Sequence, residues 1–153
     1  MIKIIADGGH AAVVRDVAIR FGEGWGHMSM VAVGDNAGRK KEVESRPDES
    51  WSAYIDHPAS YIAPKVEIGN GTVIMAGAIV QPFVKIGRHC ILNTNSVTEH
   101  HCTIGDYAHI APGAVLCGGV TVGEGALIGA GAVCVPGAVI PPWSLVKAGS
   151  VAK

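Results

Sequence analysis

Between residues 62 and 146 the apolar positions neither alternate as in a half-exposed sheet nor recur at the three-and-four spacing of a helix; they recur every sixth residue. The row runs Ile62, Ile68, Ile74, Val80, Ile86, Leu92, Thr98, Ile104, Ile110, Leu116, Val122, Ile128, Cys134, Ile140 and Val146, and thirteen of its fifteen places are aliphatic. A second row lies four residues on from each of these, from Val66 to Ser150, and holds nothing larger than valine. Two rows locked at six, one bulky and one small, require short strands joined by tight turns, with like positions stacked above one another.

That is the pattern of a parallel β-helix. Glycine follows the branched residue at Gly69, Gly87, Gly105 and Gly123, eighteen residues apart, so three hexapeptides make one triangular coil. The register holds without insertion and predicts about five coils, each rising about 4.8 Å, the spacing of neighbouring strands. Each aliphatic side chain in the buried column contributes roughly 1.5–3 kcal/mol. The predicted β-helix occupies residues 58–153.

Residues 1–57 follow another pattern. "MIKIIA" reads as a strand, "DGGH" as a glycine turn, and "AAVVRDVAIRFGE" as a helix ending near Gly22 or Gly24. "MSMVAVG" reads as a second strand, and "DNAGRKKEVESR" as a polar helix or turn. Strand, glycine turn, helix and strand form a small, truncated α/β unit. Glycines ahead of a helix leave N–H groups pointing outward, which suits a phosphate; an ordinary tight turn needs the same residues. Pro58 and Pro64 discourage a helix in the segment leading into the repeat.

Composition narrows the function. Charged residues are 16% of the chain, and 12 basic against 13 acidic residues give a formal net charge of −1, which argues against a nucleic-acid partner. The amino terminus is too short and too polar for a signal peptide or a membrane span, which points to a cytoplasmic protein. Cys90, Cys102, Cys117 and Cys134 have neither metal nor redox spacing and read as small apolar thiols.

The candidate chemistry sits in "NTNSVTEHHCTIGDYAHIAPGAV", residues 93–115. Counted on the coil, His100 and His101 fall outside both inward rows, at a corner facing out. His109 lies nine residues on, half a circuit away. At about 3.3 Å per residue along six-residue sides, His100 and His109 of one chain are well over about 10 Å apart and cannot share a metal ion. A surface histidine on such a rod can be inert. Here Glu99 precedes His100, and Asn93, Thr94 and Asn95 line the same coil, the composition of a general base with an orienting carboxylate.

These residues also resemble a family. Asn93-Thr94, Glu99-His100-His101-Cys102, Ile104-Gly105-Asp106, His109 and Ala111-Pro112-Gly113-Ala114 are similar to the active-site run of the left-handed β-helix acetyltransferases of bacterial surface-glycan pathways, the UDP-4-amino-sugar N-acetyltransferases and sialic acid O-acetyltransferases. The resemblance extends to the amino-terminal unit through Ala6-Asp7-Gly8-Gly9-His10-Ala11 and Val31-Ala32-Val33-Gly34-Asp35-Asn36 with Arg39. It implies a left-handed helix and an acetyl-CoA-dependent N-acetyltransferase acting on the 4-amino group of a nucleotide-linked sugar, without a required metal. His100 would be the base, with Glu99 and His101 beside it in the catalytic run. Asn93, His109, Gly118, Ala130 and Gly149 would hold acetyl-CoA. Asp7, Gly8, Gly9, His10, Asp35, Asn36 and Arg39 would contact the sugar nucleotide. A homotrimer with cofactor between rods is implied as well, because His109 would then reach His100 only from a neighbouring subunit. O-acetylation of a sugar and a non-catalytic trimeric scaffold are the alternative readings. The chain departs from the family at His101, where an acidic residue is common and where Glu99 would be left to orient His100. It departs again between Phe21 and Met28, where a strand with acidic residues is expected, and it reaches Lys153 without the family's G-x-P-A tail.

Overall fold

The computed structural model describes residues 2–5, 8–20 and 28–153. Strand β1 (Ile2–Ile5) pairs in parallel with β2 (Met28–Val31), with helix α1 (Gly9–Arg20) between them and α2 (Asn36–Glu44) after them. This is the expected α/β unit. Helix α1 starts at Gly9, so His10 lies in its first turn, and Ala11 N–H donates to Gly8 O at 3.1 Å. The polar segment after β2 does form a helix. Asp35 caps it, accepting from Gly38 N–H at 2.6 Å, as a short carboxylate at an exposed helix start does.

The remaining strands wind into a three-sided parallel solenoid. The first sheet stacks β3 (Tyr54–Asp56), β6 (Thr72–Ile74), β9 (Ile91–Leu92), β12 (His109–Ile110), β15 (Leu127–Ile128) and β18 (Leu145–Val146). The second stacks β4 (Tyr61–Ile62), β7 (Ile79–Val80), β10 (Val97–Thr98), β13 (Val115–Leu116), β16 (Val133–Cys134) and β19 (Val151–Ala152). The third stacks β5 (Glu67–Ile68), β8 (Lys85–Ile86), β11 (Thr103–Ile104), β14 (Thr121–Val122) and β17 (Val139–Ile140). Every pairing links residues eighteen apart, for example Thr98 with Val80 and Leu116, as the repeat requires.

The solenoid is longer at both ends than the aliphatic row suggests. β3 adds a rung below, where Asp56 occupies the place of the inward aliphatic residue, and β19 adds one above with Ala152. A carboxylate and an alanine at these end positions carry no hydrophobic signal. Between the ends, Ile74 to Ile140 and the small row from Thr72 to Ala138 form one continuous core. Cys90, Cys102 and Cys134 are buried in it as thiols, and burial pushes the Cys90 thiol up to about 12.

The amino-terminal unit lies on the outer face of the first sheet. Ala11, Val14 and Val17 of α1, at helical spacing, pack with Met30 of β2 against Ile55, Val73 and Ile91, the outward residues of three successive rungs. No helix among the described residues is long and apolar enough to cross a membrane.

Candidate active site

The corner joining the second and third sheets carries Pro82-Phe83, His100-His101 and Gly118-Gly119 on successive coils. His100 and His101 are both exposed, as expected from their places in the repeat. His100 O accepts from Gly119 N–H at 2.9 Å, which fixes the backbone beneath the ring. The Cε1–Nε2 edge of His100 lies directly over Gly118: a Cβ built there would stand 2.6 Å from Cε1 and 2.9 Å from Nε2. The absence of a side chain at 118 therefore leaves room for the imidazole of the adjacent coil and is not a matter of backbone conformation, and the step of eighteen had placed the two together.

The other nitrogen of His100, Nδ1, lies 3.1 Å from Nδ1 of His101. The expected partner does not appear: Glu99, half-buried and adjacent in sequence, has no hydrogen bond to His100 or His101 among the described residues, and its backbone N–H goes to Leu116 O at 2.9 Å. His101 stacks on Phe83 with ring centroids 5.0 Å apart, and Lys65 Nζ lies 5.1 Å from the Phe83 ring.

Two other groups of expected site residues collect elsewhere. Asn93, Ala130 and Gly149 belong to the corner between the first and second sheets, where Gly149 N–H donates to Ala130 O at 2.9 Å. His109, on β12, points from the first sheet toward the amino-terminal unit. Asn93 Oδ1 accepts from Thr94 N–H at 2.8 Å, so Nδ2 is the donor to His109 Nε2 at 3.0 Å, and the other ring nitrogen bonds the Gly34 backbone. One ring nitrogen of His109 thus ties neighbouring parts of the solenoid together and the other faces the α/β unit. Burial, with the Arg39 and His10 charges, lowers His109 to about 4. His10 approaches it at 6.3 Å between ring centroids; its pKa is lowered by burial and by Arg39, and its buried Nε2 has no partner among the described residues.

Sequence reasoning assigned Asn36 and Arg39 to the substrate, but their polar atoms serve the fold. Arg39 is 1% exposed. Its Nε donates to His89 O at 2.8 Å, Nη1 to Val33 O at 2.9 Å and Gly34 O at 3.3 Å, and Nη2 to Asn36 Oδ1 at 2.9 Å and Tyr107 O at 2.5 Å. All five guanidinium donors are satisfied. Asn36 Nδ2 donates to Gly125 O at 3.0 Å. Helix α2 is thereby fastened along the corner between the third and first sheets, reading the carbonyls of His89, Tyr107 and Gly125, eighteen residues apart. Asp35 stays exposed as the cap of this helix, while Gly8 and Gly9 stand open at the start of α1, with nothing within 4 Å of a built Cβ. Asp7, and the shortened segment between Phe21 and Met28, lie outside the described residues.

The column behind this docking was not anticipated. Trp51 meets His89 edge to face at 5.1 Å, His89 stacks on Tyr107 at 5.6 Å, and Lys40 Nζ lies 5.6 Å from the Tyr107 ring and 5.4 Å from Trp143 while pairing with Glu124 at 2.6 Å. The step of eighteen linking His89, Tyr107, Gly125 and Trp143 was available in sequence, but these are turn places outside both inward rows, and Gly125 interrupts the aromatic run. No group of three or more His, Cys, Asp or Glu among the described residues is arranged to hold a metal ion.

Comparison with curated protein sequences gives no match. The family model for bacterial transferase hexapeptide (six repeats) matches residues 65–100 and 101–136. Among solved structures, PerB from Caulobacter crescentus, in complex with CoA and GDP-perosamine, is 31% identical, with 99% of this chain and 88% of that chain covered and a TM-score of 0.94. A histidine-to-asparagine variant of perosamine N-acetyltransferase from the same organism, with the same ligands, is 30% identical over 99% and 88% of the two chains, with a TM-score of 0.93. The acetyltransferase domain of PglB from Neisseria gonorrhoeae, in complex with acetyl coenzyme A, is 27% identical over 97% and 88%, with a TM-score of 0.90. The chain belongs to the left-handed β-helix hexapeptide acetyltransferases that act on sugars, and it is an acyltransferase.

Proposed function

We propose that the protein is an acetyl-CoA-dependent N-acetyltransferase that acetylates the 4-amino group of a nucleotide-linked sugar, with His100 as general base. The observation that carries this reading is the His100 corner: an exposed imidazole whose Nε2 edge spans a glycine, on a chain that superimposes on an enzyme holding CoA and GDP-perosamine. The amine nitrogen attacks the thioester carbonyl and passes a proton to His100 Nε2. The tetrahedral oxyanion collapses, the C–S bond breaks, and the CoA thiolate takes the proton back. An amide N–H on the Gly118 turn, next to the ring, is placed to meet the thioester oxygen.

The partner arrangement follows from the outer surface. Outward residues of the third sheet are mostly polar: Glu67, Lys85, Thr103 and Thr121 precede Val139. Those of the second sheet are Tyr61, Ile79, Val97, Val115, Val133 and Val151, apolar along its whole height. An apolar stripe of this length favours burial against other copies. It separates the His100 corner from the Asn93, Ala130 and Gly149 corner, so packing through it in a trimer brings the first corner of one subunit toward the second corner of the next. Acetyl-CoA would lie in that seam. The sugar nucleotide would approach Gly8, Gly9, His10 and Asp35, with Asn36 and Arg39 holding the helix that presents Asp35. Acetyl-CoA and a nucleotide-linked sugar as substrates support a cytoplasmic location.

The test is thiol release from acetyl-CoA with UDP-, dTDP- and GDP-linked 4-amino sugars, with the product mass measured. A gain of one acetyl group on one of these amines supports the reading. Turnover only with hydroxyl acceptors such as sialic acid replaces it with O-acetylation, and no binding of acetyl-CoA by calorimetry replaces it with a scaffold.

A further inference from the structure

Two imidazole nitrogens at 3.1 Å can attract each other only if one proton lies between them, because two bare lone pairs repel and so do two N–H groups. For the pair His100 Nδ1 and His101 Nδ1 this leaves two arrangements. With the proton on His101, the remaining proton of neutral His100 sits on Nε2, the atom over Gly118, and that atom cannot accept another. With the proton on His100 Nδ1, Nε2 carries a free lone pair at the outer edge of the corner. Only the second arrangement also survives proton transfer: when His100 becomes imidazolium, its Nδ1–H still points at the same acceptor, and the hydrogen bond strengthens because the donor is charged.

The surroundings of His101 hold it in place for this. Its backbone is in the left-handed region, φ 61°, as are Phe83 at φ 64° and Lys65 at φ 65° on the coils below. Bulky residues at three successive left-handed positions are uncommon, and glycine takes the corresponding places above, at Gly119 and Gly137. The costly conformations stop where the ladder Lys65, Phe83, His101 stops. Phe83 supplies the face on which the His101 ring rests, and that stacking sets the plane of the ring and so the direction of its Nδ1. Lys65 Nζ lies 5.1 Å from the same Phe83 ring, so that ring is held between the lysine and the imidazole.

We propose that His101 is a positioning residue: as a neutral imidazole it accepts at Nδ1 from His100 Nδ1–H and locks His100 in the tautomer whose Nε2 is the free base. This rests on the reading of His100 as base. A carboxylate in that role would add a negative charge next to the imidazolium; His101 fixes the tautomer and orientation without adding charge.

Two variants and one spectrum test it. His101→Phe keeps a ring to stack on Phe83 but removes the acceptor, and His101→Asn, which tolerates the left-handed backbone, restores an acceptor through Oδ1. His101→Phe lowers kcat about tenfold or more, a part of the roughly 10²–10⁴-fold that a general base contributes, with KM for acetyl-CoA and the melting temperature nearly unchanged. His101→Asn recovers most of the loss. In 15N correlation spectra of the wild-type protein, His100 Nδ1 has the shift of a protonated nitrogen and Nε2 that of a bare one. Wild-type kcat in His101→Phe, or a wild-type His100 protonated on Nε2, overturns the proposal; the spectrum decides even if His101→Phe does not fold. Full turnover by His100→Ala would instead overturn the base assignment and leave the spectrum to decide the hydrogen bond.

Discussion

At residue scale the account turns on a few atoms. A methyl group at Gly118 would meet His100 at 2.6 Å from Cε1, and the neighbour is an exposed side chain that can swing aside. Gly118→Ala therefore leaves the fold intact and displaces the imidazole; kcat falls by roughly 10–10²-fold, in line with small misplacements of a catalytic group, while circular dichroism is unchanged. The buried histidines give the fold a pH limit. His89 and His109 are both lowered to about 4, chiefly by burial, so between about pH 6.5 and 4 the unfolded chain binds protons that the folded chain refuses. Stability is full above pH 6.5 and declines as pH falls through that window, by up to about 3 kcal/mol per histidine. Thermal melts from pH 7.5 to 4.5 check this; a flat melting temperature would contradict it. Of these residues, His100 and Gly118 were legible because both follow the step of eighteen. The engagement of His109 was not, since its partners Asn93 and Gly34 come from a neighbouring corner and from the connection between β2 and α2.

At element scale the solenoid strands were readable from sequence because their signal is a side-chain size repeated in register. The first rung, β3, lies outside the expected 58–153 because Asp56 interrupts that signal, and Ala152 weakens it at the other end. Helix α2 shows a different limit. Its sequence is polar on nearly every face, and what fixes it is Arg39 bonding carbonyls at 89 and 107, a relation between turn geometry and one side chain that no local pattern reveals. Arg39→Ala leaves those buried carbonyls without donors and removes the packed stem, so it destabilises by about 3 kcal/mol or more. The prediction is a loss of hydrogen-exchange protection concentrated in residues 36–44, with the coils beneath still protected. Uniform loss along the solenoid would mean that α2 and the coils unfold as one unit.

At the scale of the whole molecule, the rod presents three unlike faces. The first is covered by the amino-terminal unit, the third is largely polar, and the second carries an uncovered apolar column from Tyr61 to Val151. The period of six identified the fold, and it also contained this column, one place before each inward residue of the second sheet. What the sequence pattern lacked was the assignment of those places to a single face. Val115→Glu puts a charge at mid-height of the column; light scattering should show the proposed trimer replaced by monomer, with acetyl transfer lost because the proposed cofactor seam needs two subunits. A fully active monomer would contradict the shared seam. Whether His100 takes the proton from the attacking amine is decided by thiol release from acetyl-CoA with a nucleotide-linked 4-amino sugar, wild type beside His100→Ala. The variant should lose roughly 10²–10⁴-fold in kcat with acetyl-CoA binding preserved. Turnover by His100→Ala at the wild-type rate would contradict it.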